Sequence, residues 1–166
     1  IAISATVARE VEKYLQTPEI RDGRRSAASC PVDFFHLGSD FDAVPVAQRV
    51  AGAWDGWPPG LWDREPVFLM LGTLEPRKGH ALVLETFERR WRAGSAERLL
   101  LVGNLGWRFE DIRARLGRSP YLGRTLFVVN GAPDTAVAEA IGRSRAGIVA
   151  SSAEGFGLPL IEFMQR

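Results

Sequence analysis

The chain is poor in the residues that build covalently or metal-stapled folds. Its 166 residues include one cysteine, Cys30, and two histidines, so no intrachain disulfide can close and the usual clustered zinc or iron–sulfur ligand set is missing. No bound metal is expected. Long apolar runs are lacking too: the longest strongly apolar stretch is Val67–Leu71, far short of the roughly 20 residues needed to span a bilayer. No basic segment followed by an apolar one marks a secretory leader. Neither sign of charge dominates. With 21 basic side chains against 20 acidic ones and a net of +1, the composition gives no support to a nucleic-acid partner or a polybasic membrane surface. Lysine is scarce, 2 against 19 arginines, a skew that genomic base composition accounts for. No Gly-x-Gly-x-x-Gly occurs, which weighs against a dinucleotide fold, and a P-loop would need glycine where Arg77 stands.

What is present is a globular composition, 46% apolar and 25% charged, enough to bury a substantial core. Disorder, collagen and coiled coil are poor descriptions of it. The chain starts at Ile1 without methionine and stops at Arg166 inside a helical pattern, so it is expected to be part of a larger protein.

Residues 4–16 predict a helix with Ser4 as N-cap and an apolar stripe of Val7, Val11, Tyr14 and Leu15. Thr17-Pro18 stops it. Asp22–Ser29 reads as an exposed polar loop, and Val32–Leu37 as a strand ending at Gly38-Ser39-Asp40. Ala51–Pro66 holds Trp54, Trp57 and Trp62 among three glycines and three prolines. That mixture predicts a packed irregular segment leading into a new fold unit.

From Pro66 on the pattern becomes regular. Strands are expected at 67–71, 98–102, 125–129 and 146–150, alternating with helices at 80–92, 109–116, 134–141 and from Leu158 onward. Strands apolar at successive positions are buried on both faces, and helices between them can cover those faces. The expected fold is therefore α/β, a Rossmann-like doubly wound parallel sheet. Ligands of such sheets sit beyond the carboxyl ends of the strands, which directs attention to the residues after Leu71, Val102, Val129 and Ala150.

Beyond the first strand stands Gly72-Thr-Leu-Glu-Pro-Arg-Lys-Gly79. Two adjacent cations at a helix start oppose the helix dipole unless an anion is also present, and a phosphate or diphosphate would meet that condition. The plainer alternative is a solvated turn with Arg77 and Lys78 facing water, and the local sequence leaves both open. After the second strand, Gly103-Asn-Leu-Gly-Trp107 places small residues where backbone must come close to something, while Trp107 suits either stacking on a base or covering the core. The fourth strand leads into Ser151-Ser-Ala-Glu-Gly-Phe-Gly-Leu-Pro-Leu-Ile-Glu162. Pro159 fits the first turn of a helix, Gly155 and Gly157 permit a tight loop with exposed amides, and Glu162 falls in or near that first turn. Glu154 stands at the mouth of the crevice, where a carboxylate can accept hydrogen bonds from sugar hydroxyls.

Arg77-Lys78, Glu154-Gly-Phe-Gly-Leu-Pro159 and Glu162 together resemble the C-terminal, donor-binding half of the retaining glycosyltransferases with the two-domain GT-B fold, of the group 1 or family 4 type. The likeness is greatest to bacterial O-antigen mannosyltransferases, through Gly72–His80, Trp91-x-x-Gly94 and Gly103-x-x-Gly-Trp107. It divides the chain into residues 1–65, the end of an N-terminal domain with its linker, and 66–166, a nucleotide-sugar-binding domain incomplete at its C-terminus.

Carried over position by position, the resemblance implies that Arg77 and Lys78 hold the diphosphate and stabilise charge on the departing nucleotide. Glu154 would bind hydroxyls of the transferred hexose, and Glu162 the ribose. Phe156, Gly157 and Leu158 would approach the donor through their backbone. Gly72, Thr73, Gly103 and Ser151 complete the donor set, with Asn130–Asp134 near the base. The implied reaction transfers a hexose from a nucleotide sugar, GDP-mannose before UDP-sugars, to a glycan or lipid-linked acceptor with retained configuration and no further cofactor. The expected setting is cytoplasmic, with the full-length protein at the inner face of the membrane, and transfer by the isolated chain is not expected. A nucleotide-sugar epimerase or phosphorylase of the same architecture, a binding module without turnover, and a plain α/β domain remain as rivals.

Overall fold

A computed structural model describes residues 1–18, 31–35, 54–63 and 65–164. The loop expected at Asp22–Ser29, Cys30, the Gly38–Asp40 end of the expected strand and the first residues of the Ala51–Pro66 segment lie outside them. The chain forms two compact units, one of Ile1–Asp40 with Glu154–Leu158 and one of Phe41–Ala153 with Pro159–Arg166.

In the first unit, helix α1 runs Ala5–Leu15, and Ser4 caps it by accepting a hydrogen bond from the Val7 amide at 3.3 Å. Such a cap contributes about 1 kcal/mol. The expected apolar stripe is not a buried one: Ala8 is the buried residue of α1, whereas Val11 is 39% and Tyr14 61% exposed. Periodicity reports an amphipathic helix, but burial needs a facing layer, and the described residues of this unit supply little of one. The strand expected at 32–37 reduces, within the described residues, to a single parallel bridge between Ala2 and Phe34. Two main-chain bonds hold it, Ala2 N–H to Asp33 C=O at 2.7 Å and Phe35 N–H to Ala2 C=O at 3.0 Å.

The second unit is the parallel sheet that the sequence implies. Strands β1 (Val67–Leu71), β2 (Arg98–Val102), β3 (Leu126–Val129) and β4 (Ala146–Gly147) lie in the order β3-β2-β1-β4. Helices α2 (His80–Arg92), α3 (Glu110–Arg118), α4 (Asp134–Arg143) and α5 (Leu158–Met164) accompany them. Alternation along each strand feeds two cores. Met70, Leu99, Leu101 and Leu126 join Val83, Leu84, Phe87 and Trp91 of α2 and Leu116 of α3 on one face. Leu69, Leu71, Leu100, Val102, Phe127 and Val129 join Leu61 and Ala140, with Phe163 of α5 packed alongside, on the other. Each fully buried leucine stabilises by roughly 1.5–3 kcal/mol relative to exposure.

The tryptophan-rich segment packs against the second core, Trp54 edge-on to Trp57 at 4.9 Å and Trp57 edge-on to Trp62 at 5.3 Å. Glu139 anchors it by accepting from the Trp57 indole at 2.9 Å and the Trp54 amide at 3.1 Å. The carboxylate also pairs with Arg143 at 2.7 Å. Burial pushes the Glu139 carboxyl up, but these partners outweigh it and leave it below the usual carboxylate range.

The expectation of a fourth strand buried over 146–150 is corrected. Regular pairing covers Ala146–Gly147 alone, both exposed, because β4 is an edge strand with β1 as its neighbour among the described residues. The chain still follows β1 one step further through the Ile148 amide, 2.7 Å from the Leu69 carbonyl.

Candidate donor site at the strand ends

Beyond Leu71 the chain turns at Gly72, whose φ of 133° favours glycine. It reaches a 3-10 turn at Pro76–Lys78 and then Gly79, left-handed at φ 77°, before α2 begins. The basic pair thus sits in a tight turn ahead of the helix rather than in its first turn. A side chain at Gly79 would place its Cβ 2.3 Å from the Ala150 carbonyl oxygen. The turn is therefore pressed against the chain leaving β4.

The smallness of the second strand-end loop has a similar cause. A Cβ on Gly103 would lie 2.0 Å from the Gly72 carbonyl oxygen, and one on Gly106 would lie 2.6 Å from Thr73 Cγ2. What these glycines approach is the neighbouring strand-end backbone and side chain. The two loops stay paired past their strands, with Leu74 N–H donating to Asn104 C=O at 2.8 Å and Gly106 N–H to Leu74 C=O at 3.1 Å.

The solvated-turn alternative does not describe Lys78, which is 8% exposed. Its stem and ammonium run along Gly72: the Cβ position there lies 3.7 Å from Lys78 Cε and 3.9 Å from Nζ.

Arg77 is engaged differently. Its Nη2 lies 2.6 Å from Glu75 Oε1, and Nη1 donates to the Ala153 carbonyl at 3.0 Å. The main-chain carbonyl of Arg77 accepts from both the amide and the hydroxyl of Ser152, at 2.8 and 3.2 Å. Side chain and backbone of one residue therefore fasten the Ser151–Ala153 segment to the basic turn. Glu75, 7% exposed, was readable as part of the motif but not as the partner of Arg77; the Glu-x-Arg spacing is the signal for it.

Of the sequence-predicted donor set, Gly72, Thr73, Arg77, Lys78, Gly103 and Ser151 all lie in the sheet unit, on the segments that leave β1, β2 and β4. Glu154, Phe156, Gly157 and Leu158, each half-buried, belong to the first unit, where a Cβ on Gly155 would lie 2.7 Å from Ile3 Cδ1. Gly157 has a φ of 86° and open space where a side chain would go. Pro159 occupies the first turn of α5 as expected, but that turn contains no acid, and Glu162 stands one turn in, half-buried. Among the described residues no three histidine, cysteine, aspartate or glutamate side chains cluster as a metal site, and no helix is long and apolar enough to cross a membrane.

The chain is similar to known proteins along its whole length. Two proteins titled serotype-specific mannosyltransferase WbdA, from Escherichia coli, are 40% identical to the chain over 173 aligned residues and cover all of it. A third of the same title and organism is 39% identical over 167 residues. The chain spans about a fifth of the length of these curated relatives. Residues 57–166 match the family described as glycosyl transferases group 1, a span that contains the whole described sheet, the basic turn and the Glu154–Glu162 segment. The chain belongs to the glycosyl transferases group 1 family.

Proposed function

We propose that the protein is a retaining hexosyltransferase to which this chain contributes the donor-binding half, with GDP-mannose as donor and a glycan or lipid-linked glycan as acceptor. The observation that carries the reading is the buried Lys78 laid along Gly72 at the carboxyl end of β1, in a chain of this family. The mannosyl preference draws on the printed names of the relatives.

Lys78 supplies positive charge to the diphosphate as it departs from donor C1, an electrostatic contribution that grows as negative charge develops on the leaving group. Arg77 adds charge at the same turn while fixing the position of residues 151–153. Glu154 accepts hydrogen bonds from the hexose hydroxyls and Glu162 from the ribose, while the backbone of Phe156–Leu158 approaches the donor. Gly72, Thr73, Gly103 and Ser151 shape the strand ends. No metal or other cofactor is assigned. The protein is placed in the cytoplasm, at the inner face of the membrane when it meets a lipid-linked acceptor.

The division of labour between the two acids gives the test. Glu154→Gln should reduce the affinity advantage of GDP-mannose over GDP, whereas Glu162→Gln should weaken both ligands together. Calorimetric titration of each variant with each ligand, alongside a mannosyl-transfer assay on the full-length protein in which the anomeric configuration of the product is read by NMR, checks both claims. Equal losses for the two ligands at Glu154, or an inverted product, would overturn the reading.

A further inference from the structure

Glu75 stands at the start of the 3-10 turn Pro76–Lys78, where a side chain can cap the turn, yet it makes no capping bond. The turn closes through the main chain instead, Lys78 N–H donating to Glu75 C=O at 3.1 Å and Gly79 N–H to Pro76 C=O at 3.2 Å. The carboxylate is nevertheless buried: Glu75 is 7% exposed and its Oε1 is out of contact with solvent. A buried carboxylate is costly unless positive charge meets it, and Arg77 Nη2 lies 2.6 Å from that oxygen. The loop after β2 walls in the stem, since a Cβ on Gly106 would lie 3.2 Å from Glu75 Cβ.

This pairing directs Arg77 toward the chain leaving β4. With Nη2 at Glu75, Nη1 donates to the Ala153 carbonyl at 3.0 Å. The guanidinium is planar and its donors are fixed relative to one another, so holding one end aims the other. The Arg77 main-chain carbonyl takes the amide and hydroxyl of Ser152 as well. Ser151, a member of the donor set, directly precedes these two anchored residues.

Charge and geometry make opposite demands on Glu75. A carboxylate 2.6 Å from the guanidinium cancels much of its field at a distance, which works against Arg77 as a binder of anions. The same carboxylate favours Arg77 as a brace, because it restricts beforehand a long side chain that must give up rotamer freedom to hold Ala153.

We infer that Glu75 is a positioning residue of the donor site: it orients Arg77, and Arg77 braces residues 151–153 against the basic turn that carries Lys78. The role toward the donor rests on the glycosyltransferase reading above; the brace itself rests on the burial of Glu75 and the contacts of Arg77.

The test is calorimetric titration of GDP into the full-length protein and its Glu75→Gln and Arg77→Lys variants, with folding confirmed. Hydrogen exchange of the same proteins without ligand is read by mass spectrometry over residues 151–153. Glu75→Gln removes a negative charge beside the basic pair, and Arg77→Lys keeps the positive charge while losing the two-ended fork. Field alone therefore predicts tighter GDP binding in the first variant and unchanged binding in the second. The brace predicts affinity weaker by about threefold to tenfold in each, a double variant no weaker than the poorer single one, and faster exchange over residues 151–153 in each. GDP affinity at or above wild type in either folded variant overturns the positioning role, even where stability falls. Unchanged exchange over residues 151–153 overturns the brace whether or not GDP binds. Failure of the wild type to bind GDP counts against the donor reading, and the exchange data still decide the brace.

Discussion

The Glu75–Arg77 pair offers a sharp test of how the basic turn is built. Glu75→Gln keeps the shape of the side chain and removes its charge, leaving the Arg77 guanidinium with the Ala153 carbonyl but without the ion pair at 2.6 Å. Breaking a fully buried pair costs about 3–5 kcal/mol. Here the Glu75 side chain is 8% exposed but that of Arg77 is 40% exposed, so water recovers part of the loss, and we expect about 1–2 kcal/mol. Arg77→Gln should cost a similar amount. The Ser152 bonds to the Arg77 main-chain carbonyl survive both changes, so the segment is loosened rather than released. Urea unfolding of the two single variants and the double variant forms a complete cycle, and the coupling should be about 1 kcal/mol. Additive effects, with coupling below about 0.3 kcal/mol, would refute the pairing of Arg77 with Glu75 as a stabilising contact.

Gly103→Ala should destabilise by about 1–3 kcal/mol through overpacking, since its Cβ would lie 2.0 Å from the Gly72 carbonyl oxygen; an unchanged denaturation midpoint would refute the close approach. Glu139→Gln should cost about 1–2 kcal/mol by weakening the anchor of Trp54 and Trp57, read by urea unfolding and by a change in tryptophan fluorescence. His80 is held below its ordinary value of 6.5, chiefly by burial, with Lys78 acting in the same direction and Glu75 opposing. The unfolded chain therefore binds the proton first, and stability should decline as pH falls through 6.5. His80→Gln should flatten that part of the stability–pH curve, and an identical slope in the variant would refute the assignment.

Strands β1 and β2 and helix α2 were legible to the residue because their apolar positions are set by burial on the sheet's faces. For β4 the same apolar pattern over 146–150 overstated the pairing, which among the described residues is to β1 alone and covers Ala146–Gly147. In α1 the stripe was real but unburied, because periodicity says which residues share a face and not whether anything covers it. At the site, the motif located the basic turn, but it could not distinguish a buried Lys78 from an Arg77 occupied by Glu75 and Ala153. That distinction depends on where β4 delivers residues 151–153, a contact some 75 positions away in sequence.

The central claim is that the carboxyl ends of these strands hold a nucleoside diphosphate through Lys78. Calorimetric titration of GDP into wild type and Lys78→Ala, with folding checked by circular dichroism and with each titration run with and without chelator, tests it most directly. Loss of one charge-assisted hydrogen bond, about 1.5–3 kcal/mol, predicts affinity weaker by roughly tenfold to a hundredfold in the variant, with wild-type binding unaffected by the chelator. Wild-type affinity in a folded Lys78→Ala protein would contradict the account.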